Sequence, residues 1–347
     1  MLVLGVESSC DETAVALVED GRVLSNAIRT QVERHAPFGG VVPDIAARMH
    51  TEAVGYVAEE AFRQAGCRPD QVDAVAATSS PGLVNCIVVG LSWARAFAVA
   101  RDVPFVSVDH LEAHVHSCLL GAPGDPPRDD VELPLAALLV SGGHTAIYRY
   151  GGPGDITRLA RTVDDAAGEA FDKVAVLLGL GYPGGPEIER AARGGNPKAH
   201  AFPRIRPKNR PLDFSFSGLK TNVLYTTRGQ NQPRDAPLLP GIVVADVAAS
   251  FQEAVCDVLV RNAVKAALEA DVKTLALCGG VAMNTRLREL ATERGRSQGL
   301  RVLLPRPEYC TDNAAMVAGL GWEYLRRGIG SREEDLARPA EARSHIG

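Results

Sequence analysis

His110-Leu111-Glu112-Ala113-His114 places two imidazoles four residues apart, at what reads as the opening of a helix after the apolar strand Val103 to Val108. At about 100° per residue, positions four apart share one helix face, so both rings can reach a single cation. Two histidines leave a metal site incomplete. Asp312, in Tyr309-Cys310-Thr311-Asp312-Asn313 just after a strand, is the best-placed carboxylate to complete it. Two imidazoles and one carboxylate with open positions suit iron(II) or zinc. The plainer alternative is a pair of helix histidines that hold nothing. In a zinc peptidase of the H-E-x-x-H type the glutamate follows the first histidine directly and serves as base. Here Glu112 stands two positions after His110, about 200° around the helix, and so points away from the metal face. His116 lies on another face again.

Other residues offer ligand chemistry. Glu7, Asp11 and Glu12 occupy a polar turn between two strands, where these carboxylates can bind a cation or act on a proton, or simply be solvated turn residues. Leu139-Val140-Ser141-Gly142-Gly143-His144-Thr145 is a strand, a tight turn and a strand; Ser141 and the glycine N–H groups can cradle a phosphate or carboxyl oxygen. Pro183-Gly184-Gly185-Pro186 and Cys278-Gly279-Gly280-Val281 leave room for a flat base or a ribose against backbone, and Asn284 follows at a helix start, where a cap is the ordinary role. Asp172 and Glu189 are open to either a ligand contact or a solvated helical pair. Arg204, Arg206, Lys208 and Arg210, among prolines and without an acidic neighbour, form an extended strip suited to phosphates or a plain solvated loop.

These groups need a scaffold, and the apolar pattern supplies one twice. Leu2 to Val6, Thr13 to Val18 and, after Asp20-Gly21, Arg22 to Ala27 read as strands; a helix (Ile45 to Ala65), a strand (Val72 to Thr78), a helix (Leu83 to Ala100) and the strand before His110 follow. From Leu135 the same order returns: strands Leu135 to Val140, Thr145 to Tyr150 and Ile156 to Arg161, then a helix from about Asp164 to Leu180. After an insertion come a helix (Val247 to Ala270), a strand (Thr274 to Cys278), a helix (Asn284 to Gly299), a strand (Arg301 to Leu304) and a last helix (Asn313 to Arg327). A duplicated α/β fold with a polar turn in each half suits a phosphate-bearing ligand, as in nucleotide-cleft proteins of the actin type; the plainer alternative is two ordinary α/β domains whose glycines only make turns.

Composition agrees with a globular chain. The 347 residues are 46% hydrophobic and 23% charged, and no apolar run approaches a membrane span, so no membrane partner is expected. Seven scattered cysteines without a C-x-x-C pair suggest reduced thiols in a cytoplasm, and the start reads as a strand rather than an export signal. With 37 basic against 42 acidic residues the net charge is −5, which disfavours a free-standing nucleic-acid binder.

Val6 to Thr13, Gly39 to Pro43, His110-x-x-x-His114, Leu139 to Thr145, Asp164 to Lys173, Tyr182 to Pro186, Asp213 to Thr221 and Cys310 to Asn313, in this order, resemble the TsaD family of tRNA adenosine threonylcarbamoyltransferases, through nearly the whole chain up to about Arg327. The resemblance implies a duplicated actin-like (ribonuclease H-like) fold with two subdomains around a nucleotide cleft: 1–109, completed by the helix at about 313–330, and 110–312, with a helical and loop insertion at about 182–240, then a loose tail at 331–347. It implies transfer of threonylcarbamoyl from threonylcarbamoyl-AMP to the N6 amine of the adenosine 3′ of the anticodon, in tRNAs reading codons that begin with A. The metal ligands carry over to His110, His114 and Asp312, with one Fe2+ the usual ion and Zn2+ the alternative. The adenylate contacts carry over to Leu139, Val140, Ser141, Gly142, Gly143, Asp172, Gly185, Glu189 and Asn284. Two departures are Glu189, where the family often has Asp, and the Gly-Gly-Val-Ala-Met-Asn context of Asn284. Bacterial members act with a TsaB paralogue and the ATPase TsaE, while a TsaC-type synthase supplies the adenylate. A zinc metallopeptidase and a nucleotide-sensing binding module are the rival readings.

Overall fold

A computed structural model describes residues 1–233, 236–330 and 332–346. The chain begins with β1 (Leu2–Glu7), β2 (Glu12–Glu19), β3 (Arg22–Thr30), a short α1 (Val32–His35) and a long α2 (Pro43–Ala65). It continues through β4 (Ala74–Ser80), α3 (Val84–Arg101), β5 (Phe105–Asp109) and α4 (His110–His116). Then follow β6 (Leu135–Val140), β7 (Thr145–Gly152), β8 (Asp155–Arg161), α5 (Ala167–Leu178), α6 (Gly184–Ala192), α7 (Ser217–Arg228) and α8 (Val244–Glu269). The last elements are β9 (Thr274–Cys278), α9 (Thr285–Ser297), β10 (Arg301–Leu303), α10 (Ala314–Arg327) and α11 (Arg332–Ala337).

Every position of β1 is buried, which requires a strand with neighbours on both edges and cover on both faces. It pairs antiparallel with β2 and parallel with β4, in a five-stranded sheet of order β3-β2-β1-β4-β5. The second sheet has the order β10-β9-β6-β7-β8. Read from its other edge it repeats the first, strand for strand, so the duplication seen in the sequence is one of topology.

Two compact units result. One comprises Met1–Leu133, Tyr150–Thr157 and Pro305–Gly347, the other Pro134–Arg149 and Arg158–Leu304. In the first, α2 and α3 pack Val57, Ala61, Ile87 and Leu91 with Leu4, Val6, Val15 and Leu17 of the sheet, while α10 joins the cluster that holds Val3, Ala16, Ala76 and Val106. The approach of α10 is close enough that a Cβ on Gly5 would meet the Ala314 carbonyl oxygen at 2.5 Å. In the second, α8 is the central helix, with Phe251, Val255 and Leu259 in one cluster with Phe171, Leu275 and Leu277.

The structure differs from the sequence reading at several boundaries. The first unit runs on through Leu133 rather than ending at 109, because α4 is buried along its whole length and packs against α10. Asp312 consequently belongs to the same unit as the two histidines. The insertion at about 182–240, expected as helix and loop, carries two helices, α6 and α7, whose places its Gly and Pro content did not reveal; Arg234 and Asp235 lie outside the described residues. The stretch expected to be loose, 331–347, is tied to the first unit: the Ser107 hydroxyl donates to the Asp335 carbonyl at 3.2 Å and the Ser344 hydroxyl to Asp109 at 2.6 Å. Ser331 and Gly347 lie outside the described residues. By length and composition α3 is apolar enough to cross a membrane, yet its Ile87, Leu91, Ala94 and Ala98 are core residues and its Arg95 donates to the carbonyls of Asp335 and Arg338.

Candidate metal centre and glycine turns

Two helix caps fix the candidate metal ligands. The Asp109 carboxylate accepts the N–H groups of Leu111 and Glu112 at 2.9 and 3.2 Å, which starts α4 at His110. Asn313 caps α10 by accepting the Met316 N–H at 3.0 Å, so Asp312 is held immediately before a rigid helix. The His110 and His114 rings stand edge to face with centroids 4.6 Å apart. His114 Nε2 is 3.0 Å and His110 Nε2 3.6 Å from Asp312 Oδ1. Among the described residues, these three are the group of possible ligands whose donor atoms all lie within 4.8 Å of one another.

Glu7, at the end of β1, supports the centre from behind. Its fully buried carboxylate accepts the Ser9 N–H at 2.6 Å and the Thr78 hydroxyl at 2.5 Å, and its Oε2 lies 3.0 Å from His110 Nδ1. A carboxylate can only accept, so Nδ1 is the protonated nitrogen of His110 and Nε2 is turned toward Asp312. Burial pushes the Glu7 pKa up, but the charge and hydrogen bond of His110 outweigh it and the net shift is downward. Burial likewise opposes charge on His110, yet Asp312 and Glu7 raise its pKa to about 9. The surroundings thus favour positive charge at this point. Burial and then the His110 charge lower the pKa of His114, whose buried Nδ1 has no hydrogen-bond partner.

This donor set fits a divalent cation. It offers two imidazoles, one of them oriented by a carboxylate behind it, a carboxylate ligand, an orphaned ring nitrogen and an electrostatic preference for positive charge. Glu12 opens β2, accepts the Thr30 hydroxyl at 3.3 Å, and has its pKa raised to about 10 by burial and by the charges of Asp312 and Asp11. Asp11 is buried in the turn before it. Glu112 points elsewhere: it accepts the Tyr324 hydroxyl and the Gly154 N–H, each at 2.7 Å. His116 is 3.1 Å from the Tyr150 hydroxyl, also away from the centre.

The second unit carries the glycine turns. Leu139 and Val140 end β6, and the Ser141-to-His144 turn closes with Ser141 N–H on the His144 carbonyl at 2.8 Å and His144 N–H on the Ser141 hydroxyl at 3.1 Å. A Cβ on Gly142 or Gly143 would meet nothing within 4 Å, and neither has a positive φ. Their side of the turn is open to an approaching group. Gly168 is the reverse case: its Cβ would strike the Ser141 carbonyl oxygen at 2.5 Å, so the start of α5 packs directly under the turn. Asp172 accepts the Gly184 N–H at 2.7 Å and thereby holds the N-terminus of α6, beside Gly185, whose Cα also faces open space. Asn284 caps α9 through the Leu287 N–H at 3.0 Å and gives its amide to Gln252 at 2.8 Å and to Glu189 at 3.5 Å. Glu189 also accepts the Thr285 N–H at 3.2 Å. Asp172 and Gly185 therefore share the start of α6, while Glu189 and Asn284 meet each other.

In the basic strip, Arg204 reaches Asp257 at 3.3 Å and Arg210 reaches Asp213 at 3.6 Å, and Arg206 and Lys208 lie between them. Asp257 also pairs with Arg294. Burial lowers the pKa of Arg261, as do Arg206, Arg294 and Arg204. The strip is thus widened by Arg261 and Arg294, which lie far off in sequence. The neighbouring Asp213-to-Lys220 segment packs the insertion: Phe214 and Phe216 are buried and Lys220 pairs with Asp165. Sequence reasoning placed Glu7 among turn carboxylates that can bind a cation but did not connect it with His110, and it did not single out Gln252. A charged residue ending a wholly apolar strand was the available signal for Glu7, since such a group is buried only with partners.

Comparison with known proteins adds to this geometry. A family model described as "TsaD: tRNA N6-adenosine threonylcarbamoyltransferase" matches residues 22–319. A protein of that name from Syntrophobacter fumaroxidans is 50% identical over 328 residues, covering 94% of this chain and 95% of the relative. Another from Kosmotoga olearia is 48% identical over 339 residues, 98% of each chain. Among solved structures, the HypF protein of T. kodakarensis is similar with a TM-score of 0.62 at 19% identity, covering 96% of this chain; the chain spans about half the length of that structure (49%). The activator of 2-hydroxyisocaproyl-CoA dehydratase from Clostridium difficile aligns with a TM-score of 0.51 at 10% identity, covering 94% of this chain and 97% of the other. With two α/β sheets of one topology, the fold is the duplicated actin-like one.

Proposed function

The chain belongs to the TsaD family of tRNA N6-adenosine threonylcarbamoyltransferases, and from that membership we propose that it takes threonylcarbamoyl from threonylcarbamoyl-AMP and places it on N6 of the adenosine 3′ of the anticodon, in tRNAs reading codons that begin with A. It is a transferase acting on tRNA. The observation that carries the reading is the His110, His114, Asp312 cluster with its Glu7 support, within a chain that aligns end to end with relatives of that name. The peptidase alternative loses its base, because Glu112 is engaged by Tyr324 and Gly154. A purely nucleotide-sensing module has no use for a buried His-His-Asp group beside the acidic Asp11-Glu12 turn.

His110, His114 and Asp312 would hold the ion, Fe2+ by family resemblance with Zn2+ the alternative, which supplies Lewis acidity toward the threonylcarbamoyl moiety. The remaining work falls to the chain. Leu139, Val140, Ser141, Gly142 and Gly143 form the turn whose open N–H face suits the phosphate of AMP as leaving group. Gly185 leaves space for the nucleoside, with Asp172, Glu189 and Asn284 at the neighbouring helix starts. In the transfer, the adenosine N6 forms a bond to the carbamoyl carbon, the carbamoyl–phosphate C–O bond breaks, AMP departs with the electron pair, and N6 loses a proton. Of the two turn carboxyls proposed for the chemistry, Asp11 is the candidate to receive that proton, while Glu12, with its pKa raised to about 10, carries its own proton near neutral pH and can donate a hydrogen bond. The anhydride is already activated, so positioning and charge stabilisation suffice without a covalent enzyme intermediate.

Arg204, Arg206, Lys208 and Arg210 are the proposed tRNA contacts. A TsaB paralogue and the ATPase TsaE complete the working assembly, with a TsaC-type synthase as source of the adenylate, all in the cytoplasm. Supplying these proteins, threonine, bicarbonate and ATP with unmodified tRNA should yield threonylcarbamoyladenosine, read by mass spectrometry of the tRNA nucleosides. Unmodified adenosine in that mixture, with adenylate present, would sink the proposal.

A further inference from the structure

The turn that presents Asp11 and Glu12 is anchored through three successive carbonyls. That of Ser9 accepts the Leu83 N–H at 2.8 Å, that of Cys10 accepts His50 Nε2–H at 3.0 Å, and that of Asp11 accepts the Gln31 N–H at 3.0 Å. The Cys10 anchor alone is a side chain, and it comes from α2. His50, Gln31, His35 and Thr13 are all buried, and their polar groups satisfy one another in a single direction. The Cys10 carbonyl can only accept, so Nε2 carries the His50 proton and Nδ1 must accept. It does so from the Thr13 hydroxyl at 2.7 Å and the Gln31 amide at 3.4 Å. The same Gln31 amide reaches the Ala46 carbonyl at 3.4 Å, and its oxygen lies 3.1 Å from His35 Nε2. His35 Nδ1 in turn accepts the Val42 N–H at 3.3 Å, in the Gly39-to-Pro43 stretch that no step of the transfer uses.

Each donor and acceptor in this chain has a determined role, from the start of α2 to the Cys10 carbonyl. A buried network of this kind fixes one conformation, because any rotation strands a polar group. Burial also lowers the His50 pKa, which keeps the ring in the neutral form that the chain of bonds requires.

We propose that His50 is a positioning residue for threonylcarbamoyl transfer: by clamping the Cys10 carbonyl it sets the turn from which Asp11 and Glu12 are presented, without touching substrate or metal. The inference rests on the transferase reading above. Asparagine at this position reaches only the place of Nδ1, whereas glutamine can return a donor to the place of Nε2. His50→Asn should therefore lower kcat for adenosine modification by about 10- to 100-fold, as misplacement of a reacting group does. His50→Gln should recover to within about three-fold of wild type, with KM for tRNA and metal stoichiometry unchanged in both. Amide hydrogen exchange at residues 10–13 should quicken in His50→Asn and not in His50→Gln. Thr13→Val, which weakens only the Nδ1 end, should give the same kcat loss in smaller measure and stands in if His50→Asn does not fold.

Wild-type kcat in His50→Asn would overturn the proposal. So would equal loss in both His50 variants together with loss of metal and a raised KM, which is what a merely structural role predicts. An inactive wild type would instead overturn the transferase reading, and the exchange rates at residues 10–13 would still decide the clamp.

Discussion

Glu7 shows how much one side chain can determine. Its carboxylate takes a backbone N–H, a hydroxyl and the Nδ1 proton of His110, and every one of those partners is buried. Glutamine at position 7 can still accept from the Ser9 N–H with its oxygen, but the position of Oε2, which takes both the Thr78 hydroxyl and His110 Nδ1, becomes an NH2 turned toward both. The ring must then accept at Nδ1 and protonate Nε2, which closes the nitrogen facing Asp312. Glu7→Gln should therefore lower affinity for Fe2+ or Zn2+ by about 10- to 100-fold, the usual effect of losing a carboxylate behind a ligating histidine. Anaerobic metal titration checks this, and unchanged affinity would refute the role. The His110 and His114 spacing could be read from sequence because helical periodicity alone carries it. The Glu7 partnership could not, since it joins side chains 103 residues apart through the parallel pairing of β1, β4 and β5.

Elements are set by the same kind of local bond, and here the sequence misleads in an instructive way. Asp164 and Asp165 read as the acidic start of the following helix, yet α5 begins only at Ala167. Asp164 caps a different helix: it accepts the N–H groups of Phe216 and Ser217 at 2.8 and 3.3 Å and the hydroxyls of Ser215 and Ser217 at 2.6 and 2.8 Å, which starts α7. An N-cap pattern shows in sequence only when the cap is adjacent to its helix, and this one reaches across 52 residues. The strands were legible because their apolar runs are, whereas the bounds of α6 and α7, within an insertion expected to mix helix and loop, were hidden by the Gly and Pro residues around them. Desolvation raises the Asp164 pKa, but the four hydrogen bonds outweigh it and the net shift is downward. The folded state thus binds this proton less readily than the unfolded chain, so the carboxylate stabilises above its unfolded pKa of about 3.9 and the benefit fades as pH falls through the folded value. Asp164→Asn should cost about 1 kcal/mol at pH 7, as a weakened cap does, with the gap from wild type narrowing below about pH 4. Urea melts at both pH values decide it; a gap that stays constant or widens in acid would contradict the assignment.

At the scale of the whole molecule the question is how a chain of net charge −5 engages a polyanion. The average conceals a local excess: Arg204, Arg206, Lys208 and Arg210 are joined by Arg261 and Arg294, with Asp257 and Asp213 as paired carboxylates among them. Pairing with Asp257 and Asp213 does not remove Arg204 and Arg210 from use, because both arginine side chains remain partly open to solvent and a phosphate can share the same guanidinium. Repulsion from the rest of the surface still opposes binding, so the isolated chain should hold tRNA weakly and partner subunits should strengthen it. Replacing Arg204, Arg206, Lys208 and Arg210 together by Gln should weaken tRNA binding by about ten-fold or more at low salt. The slope of log affinity against log salt should fall by about one unit for each phosphate that is no longer neutralised. Adenylate binding, which relies on the turn at 139–143, should be unaffected. Unchanged tRNA affinity and salt slope in the fourfold variant would move the RNA surface elsewhere. Weaker binding with an unchanged slope would mean that the strip supports the insertion rather than neutralising phosphates, and the separate adenylate measurement would then show whether that support extends to the turn.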